Sequence, residues 1–305
     1  MNYPRGYSEE EMRIVNIGSI NVDHVYEVDH FVRPGETLNS KGYQTFAGGK
    51  GFNQSIALSR AGVAPHHAGR VGKDAGWLLK RLQQAGVDTT HVAMCEATTG
   101  HAVIQVTPNG ENAIVLCGGA NRLVTQADVA AVLTSCSAGD VLLIQNETSA
   151  VAQAILHAHE IGMRIVFNPA PMTSDVCHYP LGLVDIFVLN EIEAELLTGK
   201  TDLSDLCECM RQRFPNAATV LTLGGRGAIY FDANATHRQA AYPVKVADTT
   251  AAGDTFIGFF LVELLLSGDP AKALEMGCLA AAISVSRAGA SDSIPSRQEL
   301  AIAKP

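Results

Sequence analysis

Long apolar runs are missing from this sequence. Even the strongly hydrophobic stretch Phe256 to Leu266 is short and carries Glu263, so nothing approaches the ~20 residues needed to cross a bilayer. Basic residues are in deficit: 22 Lys and Arg stand against 31 Asp and Glu, for a net charge of −9. A nucleic-acid partner calls for a basic face and is not expected. The seven cysteines are odd in number and lack a scaffold-like rhythm, which fits reduced thiols. Cys207 and Cys209 form a lone Cys-x-Cys with no second pair at zinc spacing, so a helix surface is expected there; His157 and His159 likewise read as exposed residues of a helix Ala150 to Ile161. Met1 to Arg13 is polar and has no apolar segment of signal-peptide length, so a cytoplasmic protein is expected. There is no internal repeat, low-complexity tract or interdomain linker. The 305 residues, 47% of them hydrophobic, suffice for one large α/β domain spanning the whole chain.

What is present is concentrated in a few segments. Asp248-Thr249-Thr250-Ala251-Ala252-Gly253-Asp254-Thr255-Phe256 opens the apolar run to Leu266, which predicts that Ala251, Ala252 and Gly253 occupy the first turn of a buried helix. Small residues there expose unpaired N–H groups at the positive end of the helix dipole, an anion site suited to the charge that grows in phosphoryl transfer. Asp254 beside it is placed to accept the proton of an attacking hydroxyl. The alternative is a helix cap before a core helix.

A second Gly-rich segment, Ala47-Gly48-Gly49-Lys50-Gly51-Phe52-Asn53-Gln54, begins another helical pattern through Ile56, Ala57, Leu58 and Ala61. Its glycines let a ligand approach the backbone, and Lys50, Asn53 and Gln54 bring donors and acceptors to the same point. It is not a Walker A loop, because Gly51 follows Lys50 where Ser or Thr is required. Upstream, the strand Ile14 to Ile17 leads into Asn21 and Asp23, on one face by the two-residue period. Such a pair can grip neighbouring hydroxyls of a polyol, or simply form a turn.

Apolar strands alternate with helical patterns: Val141 to Gln145, the helix to Ile161, Arg164 to Asn168, Ile186 to Leu189 and a helix from Glu191. This predicts a mainly parallel sheet with ligand groups at the carboxyl ends of its strands, where Asn21, Glu147, Asn190 and Thr222 fall. Glu147 reads equally as a ligand residue and as a cap for the helix near Ser149. Gly224-Gly225-Arg226-Gly227 is not a dinucleotide fingerprint, and the extended segment Ala228 to Asp232 follows where a Rossmann helix should begin. Two segments break the rhythm. His24 to Phe46 is extended with a Pro34-Gly35 turn, and His101 to Cys117 is a hairpin about Asn109-Gly110.

Together these segments resemble the ribokinase branch of the PfkB carbohydrate kinase family. Gly-Gly-Lys-Gly-x-Asn-Gln matches the first family signature and Asp-Thr-x-Ala-Ala-Gly-Asp-Thr-Phe the second. Gly118-Gly119-Ala120-Asn121, Asn168-Pro169-Ala170-Pro171, Asn190-Glu191-Ile192-Glu193 and Thr222 to Gly227 match in order, and the likeness runs from about Arg13 to Arg297. The resemblance implies a three-layer α/β sandwich with a mainly parallel central sheet and a small β lid, formed by insertions at about 24–46 and 101–117. It implies ATP-dependent phosphorylation of a sugar hydroxyl, with the 5-hydroxyl of D-ribose as the expected acceptor. On the family pattern Asn21, Asp23, Gly49, Lys50, Gly51, Asn53 and Glu147 hold the sugar, Asp254 is the base, and Ala251, Ala252 and Gly253 form the anion hole. Asn190, Thr222, Gly224, Gly225, Gly227, Gly253 and Cys278 line the nucleotide site. Asn190 and Glu193 organise Mg2+ through water, and Asp248, Thr250, Ser284, Arg287, Gly289 and Ser293 surround a monovalent cation such as K+. The lids of two subunits pack into a homodimer in this branch, for which Val103, Ile104, Val106, Ile114, Val115 and Leu116 offer apolar surface.

The sequence departs from the pattern at Cys278, where a His beside adenine is frequent, and at Ile257 and Phe259; the last two are expected to alter packing without touching the base or the anion donors. Other acceptors stay open: another sugar, or a nucleoside held by Tyr26, Phe31, Tyr43 and Phe46. So does a non-catalytic sugar-binding regulator on the same scaffold.

Overall fold

A strand such as Val141 to Gln145, apolar at four successive positions, has no wet face and is stable only when covered on both sides. The computed structural model, which describes residues 13–303, covers it in that way. In chain order the elements are β1 Ile14–Ile17, β2 Asn21–Glu27, β3 Gly42–Gly48, α1 Lys50–Arg60, β4 His66–Gly72, α2 Gly76–Gln84, β5 Asp88–Cys95, β6 Gly100–Val106 and β7 Asn112–Cys117. They continue with α3 Gln126–Leu133, β8 Val141–Gln145, α4 Val151–Glu160, β9 Arg164–Asn168, β10 Ile186–Asn190, α5 Glu191–Thr198, α6 Leu203–Arg213 and β11 Ala218–Thr222. The last are β12 Ala228–Phe231, β13 Thr236–Gln239, α7 Ala252–Ser267, α8 Pro270–Val285 and α9 Arg297–Ala303.

Nine strands form a central sheet in the order β13-β12-β11-β10-β9-β8-β1-β4-β5, parallel except where β12 pairs with β11 and β13. Alternate residues of each strand feed two separate cores. Ile14, Leu143, Val166, Val188 and Val220 pack with α1, α2, α7 and α8, while Val15, Leu142, Ile165, Phe187 and Leu221 pack with α3, α4, α5 and α6. The molecule is therefore an α/β/α sandwich, as the strand–helix alternation predicts. Helix α7 is apolar around its whole circumference because it is enclosed, with Phe256 to Val262 all buried.

A second sheet, in the order β3-β2-β6-β7, stands beside the first. It begins and ends further out than the sequence reading placed it: β2 starts at Asn21, not at His24, and β3 runs to Gly48, not to Phe46. Asn21 and Asp23 thus belong to the small sheet. The helix placed at Ala150 to Ile161 spans Val151–Glu160, with Ala150 and Ile161 as its caps, and His157 is half-buried instead of exposed. Among the described residues no helix is long and apolar enough to cross a membrane.

Candidate active site

β1 lies between β8 and β4, so the chain leaves the carboxyl ends of neighbouring strands in opposite directions and opens a crevice there. The start of α1 closes one side of it. Gly18, just after β1, and Gly51, in the first turn of α1, touch so closely that a Cβ on Gly51 would sit 2.4 Å from the Gly18 Cα and from the Ser19 N. Gly49, at φ +93°, makes the bend into the helix. No side chain of its own caps α1. Glu147 does so from outside, accepting the Lys50 N–H at 3.0 Å and the Ser19 hydroxyl. Of its two sequence readings, the cap near Ser149 does not form, since α4 starts at Ala150 without a side-chain cap.

Asp254 lies in the first turn of α7, 8% exposed. Asn53 donates to its Oδ2 at 3.0 Å and Gln54 to its Oδ1 at 2.9 Å. Ala251 is left-handed at φ 58° and offers no capping side chain, so the amides of the first turn have no intrahelical acceptor. Apart from its chain neighbours and the backbone of its own helix, no atom of the described residues lies within 4 Å of where a Cβ on Gly253 would stand. A group larger than a methyl can fill that space, as an anion cradle requires.

The charges gather at one point. Burial, then the neighbouring Glu147 and Asp254, pushes the Asp23 carboxyl up to about 7. Burial raises Asp254 as well, opposed by Lys50 and by the donors on Gln54 and Asn53. For Lys50, burial pulls downward but the carboxylates of Asp254, Glu147 and Glu193 prevail and raise it. Asp23, carried by the small sheet, is thus near enough to Glu147 and to Asp254, carried by the sandwich, to feel both charges.

Two cavities meet at the start of α7. A polar one of about 240 Å3 is lined by Lys50, Asn190, Glu193, Gly253 and Asp254. A mostly apolar one of about 470 Å3 is lined by Gly224, Gly225, Gly227, Tyr242, Val244, Phe256 and Cys278. Thr222, Thr249, Ala252 and Gly253 border both, so the pair makes one cleft whose polar and apolar ends suit a triphosphate and a planar base. Burial drives the Cys278 thiol up to about 12, so it is an apolar wall there. Ile257 shares the lining of the polar cavity with Asp254, and Phe259 is a core residue.

Asn190 and Glu193 form a reciprocal capping box at the start of α5, at 2.8 and 3.0 Å. That box occupies one carboxylate oxygen of Glu193 and leaves the other to the polar cavity. Of the residues assigned to a monovalent cation, Asp248 accepts from the Thr250 amide and hydroxyl and from the Gly289 amide. Ser284 and Ser293 share a hydroxyl contact at 2.8 Å, and the Arg287 side chain turns away to Glu299, leaving only its backbone for such a site. Among the described residues no cluster of three His, Cys, Asp or Glu side chains could hold a metal ion by itself. Cys207 and Cys209 are partly buried on α6.

Sequence reasoning missed Asn16, Gln145, Asn168 and Asn121 as parts of the site. Asn121 holds Asn21 Oδ1 at 2.7 Å. Asn16 and Gln145 are buried amides in otherwise apolar strands, and that incongruity was the available signal. Of the aromatics considered for a nucleoside, Tyr26 and Tyr43 pair across β2 and β3 on the face opposite Asp23, stacking there with His24.

Comparison with known proteins agrees with this geometry. The family model described as "pfkB family carbohydrate kinase" matches residues 12–297. The chain is 40% identical to a ribokinase of Haemophilus influenzae over 93% of its length and 95% of that protein, and 36% identical to one of Staphylococcus aureus over 94% and 98%. An Arabidopsis thaliana ribokinase structure complexed with ribose and ATP superposes with a TM-score of 0.84 at 27% identity, over 95% of this chain and 98% of that one. The chain belongs to the PfkB family of carbohydrate kinases, and its activity is ATP-dependent phosphorylation of a sugar.

Proposed function

We propose that the acceptor is D-ribose, phosphorylated on its 5-hydroxyl. The observation that carries this reading is the Asp254 carboxylate beside the open start of α7, lining one polar cavity with Lys50, and the Asp23 carboxyl near enough to feel its charge. Asn21 and Asp23 take two adjacent sugar hydroxyls, with Gly49 and Gly51 allowing close approach. Lys50 and Glu147 hold others. Asn53 keeps a buried Oδ1 with no partner among the described residues, an acceptor waiting for a hydroxyl donor. Asp254 takes the proton of the attacking hydroxyl, and the amides of Gly253 and Asp254 meet the charge that develops on the transferred group, the Ala252 amide being turned to Thr249 O at 3.3 Å. Asn190, Thr222 and Gly224 to Gly227 hold the nucleotide, its base lying toward Cys278.

Glu193 fits a hydrated Mg2+, since it offers one uncommitted carboxylate oxygen in a polar cavity; bound magnesium supplies charge neutralisation for the phosphates. The oxygens around Asp248, Thr250, Ser284, Gly289 and Ser293 are hard donors of the type K+ prefers, and a bound ion there would stiffen the loop before α7. The small sheet acts as a lid that excludes water. Seven unpaired cysteines suit a reducing cytoplasm.

ADP release measured across ribose, 2-deoxyribose, fructose and adenosine, with and without potassium, tests the assignment. Ribose should give the highest kcat/KM, with potassium raising it. A preference for adenosine would replace the acceptor, and tight ribose binding without ADP release would favour a sugar-binding regulator.

A further inference from the structure

Behind Asp254 runs a chain of buried amides that ligand contacts do not explain. Gln54, wholly buried, uses one amino group twice, donating to Asp254 Oδ1 at 2.9 Å and to Asn168 Oδ1 at 3.2 Å. Its carbonyl accepts from Gln145 at 2.7 Å, and the same Gln145 amino group donates to Asn16 Oδ1 at 2.9 Å. Each end donates to a backbone carbonyl: Asn168 to Val188 O at 2.9 Å, and Asn16 to Gly51 O at 2.8 Å as well as to the Ser55 hydroxyl oxygen at 2.8 Å, itself in contact with His67.

Those ends fix the direction of every bond between them. A backbone carbonyl only accepts, so Asn168 must turn its amino group to Val188 and its oxygen to Gln54. Gln54 must then donate there, which directs the same amino group at Asp254. From the other end, the Asn16 oxygen faces Gln145, so Gln145 donates both ways and meets the Gln54 carbonyl. Both ends impose the same orientation, and rotating the Gln54 amide would set acceptor against acceptor at Asp254 and Asn168 and donor against donor at Gln145.

We propose that Gln54, clamped by Gln145 and Asn168, is the positioning residue for the base: it pins Oδ1 of Asp254 with an N–H that cannot rotate away, and turns Oδ2, which also accepts from Asn53, toward the proton of the sugar hydroxyl with its second lone pair. The inference rests on Asp254 being the base. A fixed donor on one oxygen favours the carboxylate over the acid and holds a single rotamer, two conditions a buried base needs beside Glu147, Asp23 and Glu193, with the Lys50 cation acting the other way.

Gln54→Met keeps the volume and removes the donor; Gln145→Leu leaves Asp254 untouched but frees the Gln54 amide. The readout is the pH profile of kcat at saturating sugar and ATP, where Asp23 is already engaged by substrate. Gln54→Met should lower kcat about 10- to 100-fold and move the acid limb upward by about one pH unit, with the sugar KM within about threefold. Gln145→Leu should shift the limb in the same direction by less, and the double variant should add nothing to Gln54→Met. A folded variant of either kind whose kcat falls with the acid limb unmoved shows mere packing and overturns the inference. If Gln54→Met does not fold, Gln145→Leu alone decides. Wild-type turnover by Asp254→Asn would remove the base itself; an inactive Asp254→Asn beside an unshifted limb in both amide variants would remove only the role of Gln54.

Discussion

Asp23 shows what a binding site costs the free protein. A carboxyl pushed up to about 7 from an ordinary value near 4 binds its proton more tightly in the folded chain than in the unfolded one. Its stabilising contribution is therefore complete below pH ~4 and is lost as the pH climbs to about 7, since the folded state must then carry a buried charge beside Glu147 and Asp254. Asp23→Asn should remove this loss. The ligand-free variant should match the wild type in stability at pH 4 and exceed it by on the order of 2–4 kcal/mol at pH 8, read from urea unfolding at each pH. With Asp23 accepting from sugar hydroxyls as proposed, the charged form binds better, so the wild-type KM should fall from pH 6 to 8 and the variant should show a weak, pH-independent KM. A variant no more stable than the wild type at pH 8 would mean that Asp23 is not held under strain.

At the scale of the element, two glycines in the first turns of two helices do opposite things. Gly51 is glycine because backbone fills the place of its side chain, so Gly51→Ala should force α1 off β1 and destabilise by about 2 kcal/mol or more, lowering Tm and raising the sugar KM together. Gly253 has open space at that place. Gly253→Ala gains helix propensity worth about 0.5–1 kcal/mol and puts a methyl group into the proposed anion cradle, so Tm should hold or rise while turnover falls by at least about tenfold. The sequence shows the two as equivalent members of Gly-rich motifs. Only the packing separates them, and the same limit explains other differences. The motif around Asp254 was legible because composition alone, small residues before an apolar run, dictates an open helix start. The strand–helix alternation was legible because strands covered on both faces must be apolar throughout. Glu147 capping α1 from 97 residues away, and the amide chain behind Gln54, depend on which strand ends become neighbours, and no local pattern carries that. Asn190-x-x-Glu193 was seen as a magnesium element, yet the spacing is also that of a capping box, and the fold uses it so.

For the molecule as a whole, the small sheet ends in an edge strand, β7, whose outer side pairs with no other strand among the described residues. β7 exposes Ile114 at 57% and Val115 at 69%, and its outer backbone groups offer a ready template for another strand. A second copy of the chain, meeting it sheet to sheet, would cover both. Two copies each bearing −9 repel, whereas the apolar contact does not depend on salt, so a dimer formed this way should tighten as ionic strength rises and the charges are screened. Light scattering after gel filtration should give a dimer near 0.3 M salt and partial dissociation near 0.02 M. Val115→Glu should give a monomer at both, with a higher sugar KM and little change in kcat, because the lid would lose its outer support while Asp254 and α7 stay in place. A variant that remains dimeric would place the contact elsewhere, and a wild type whose dimer weakens with added salt would show that the association is held by charge and not by this edge.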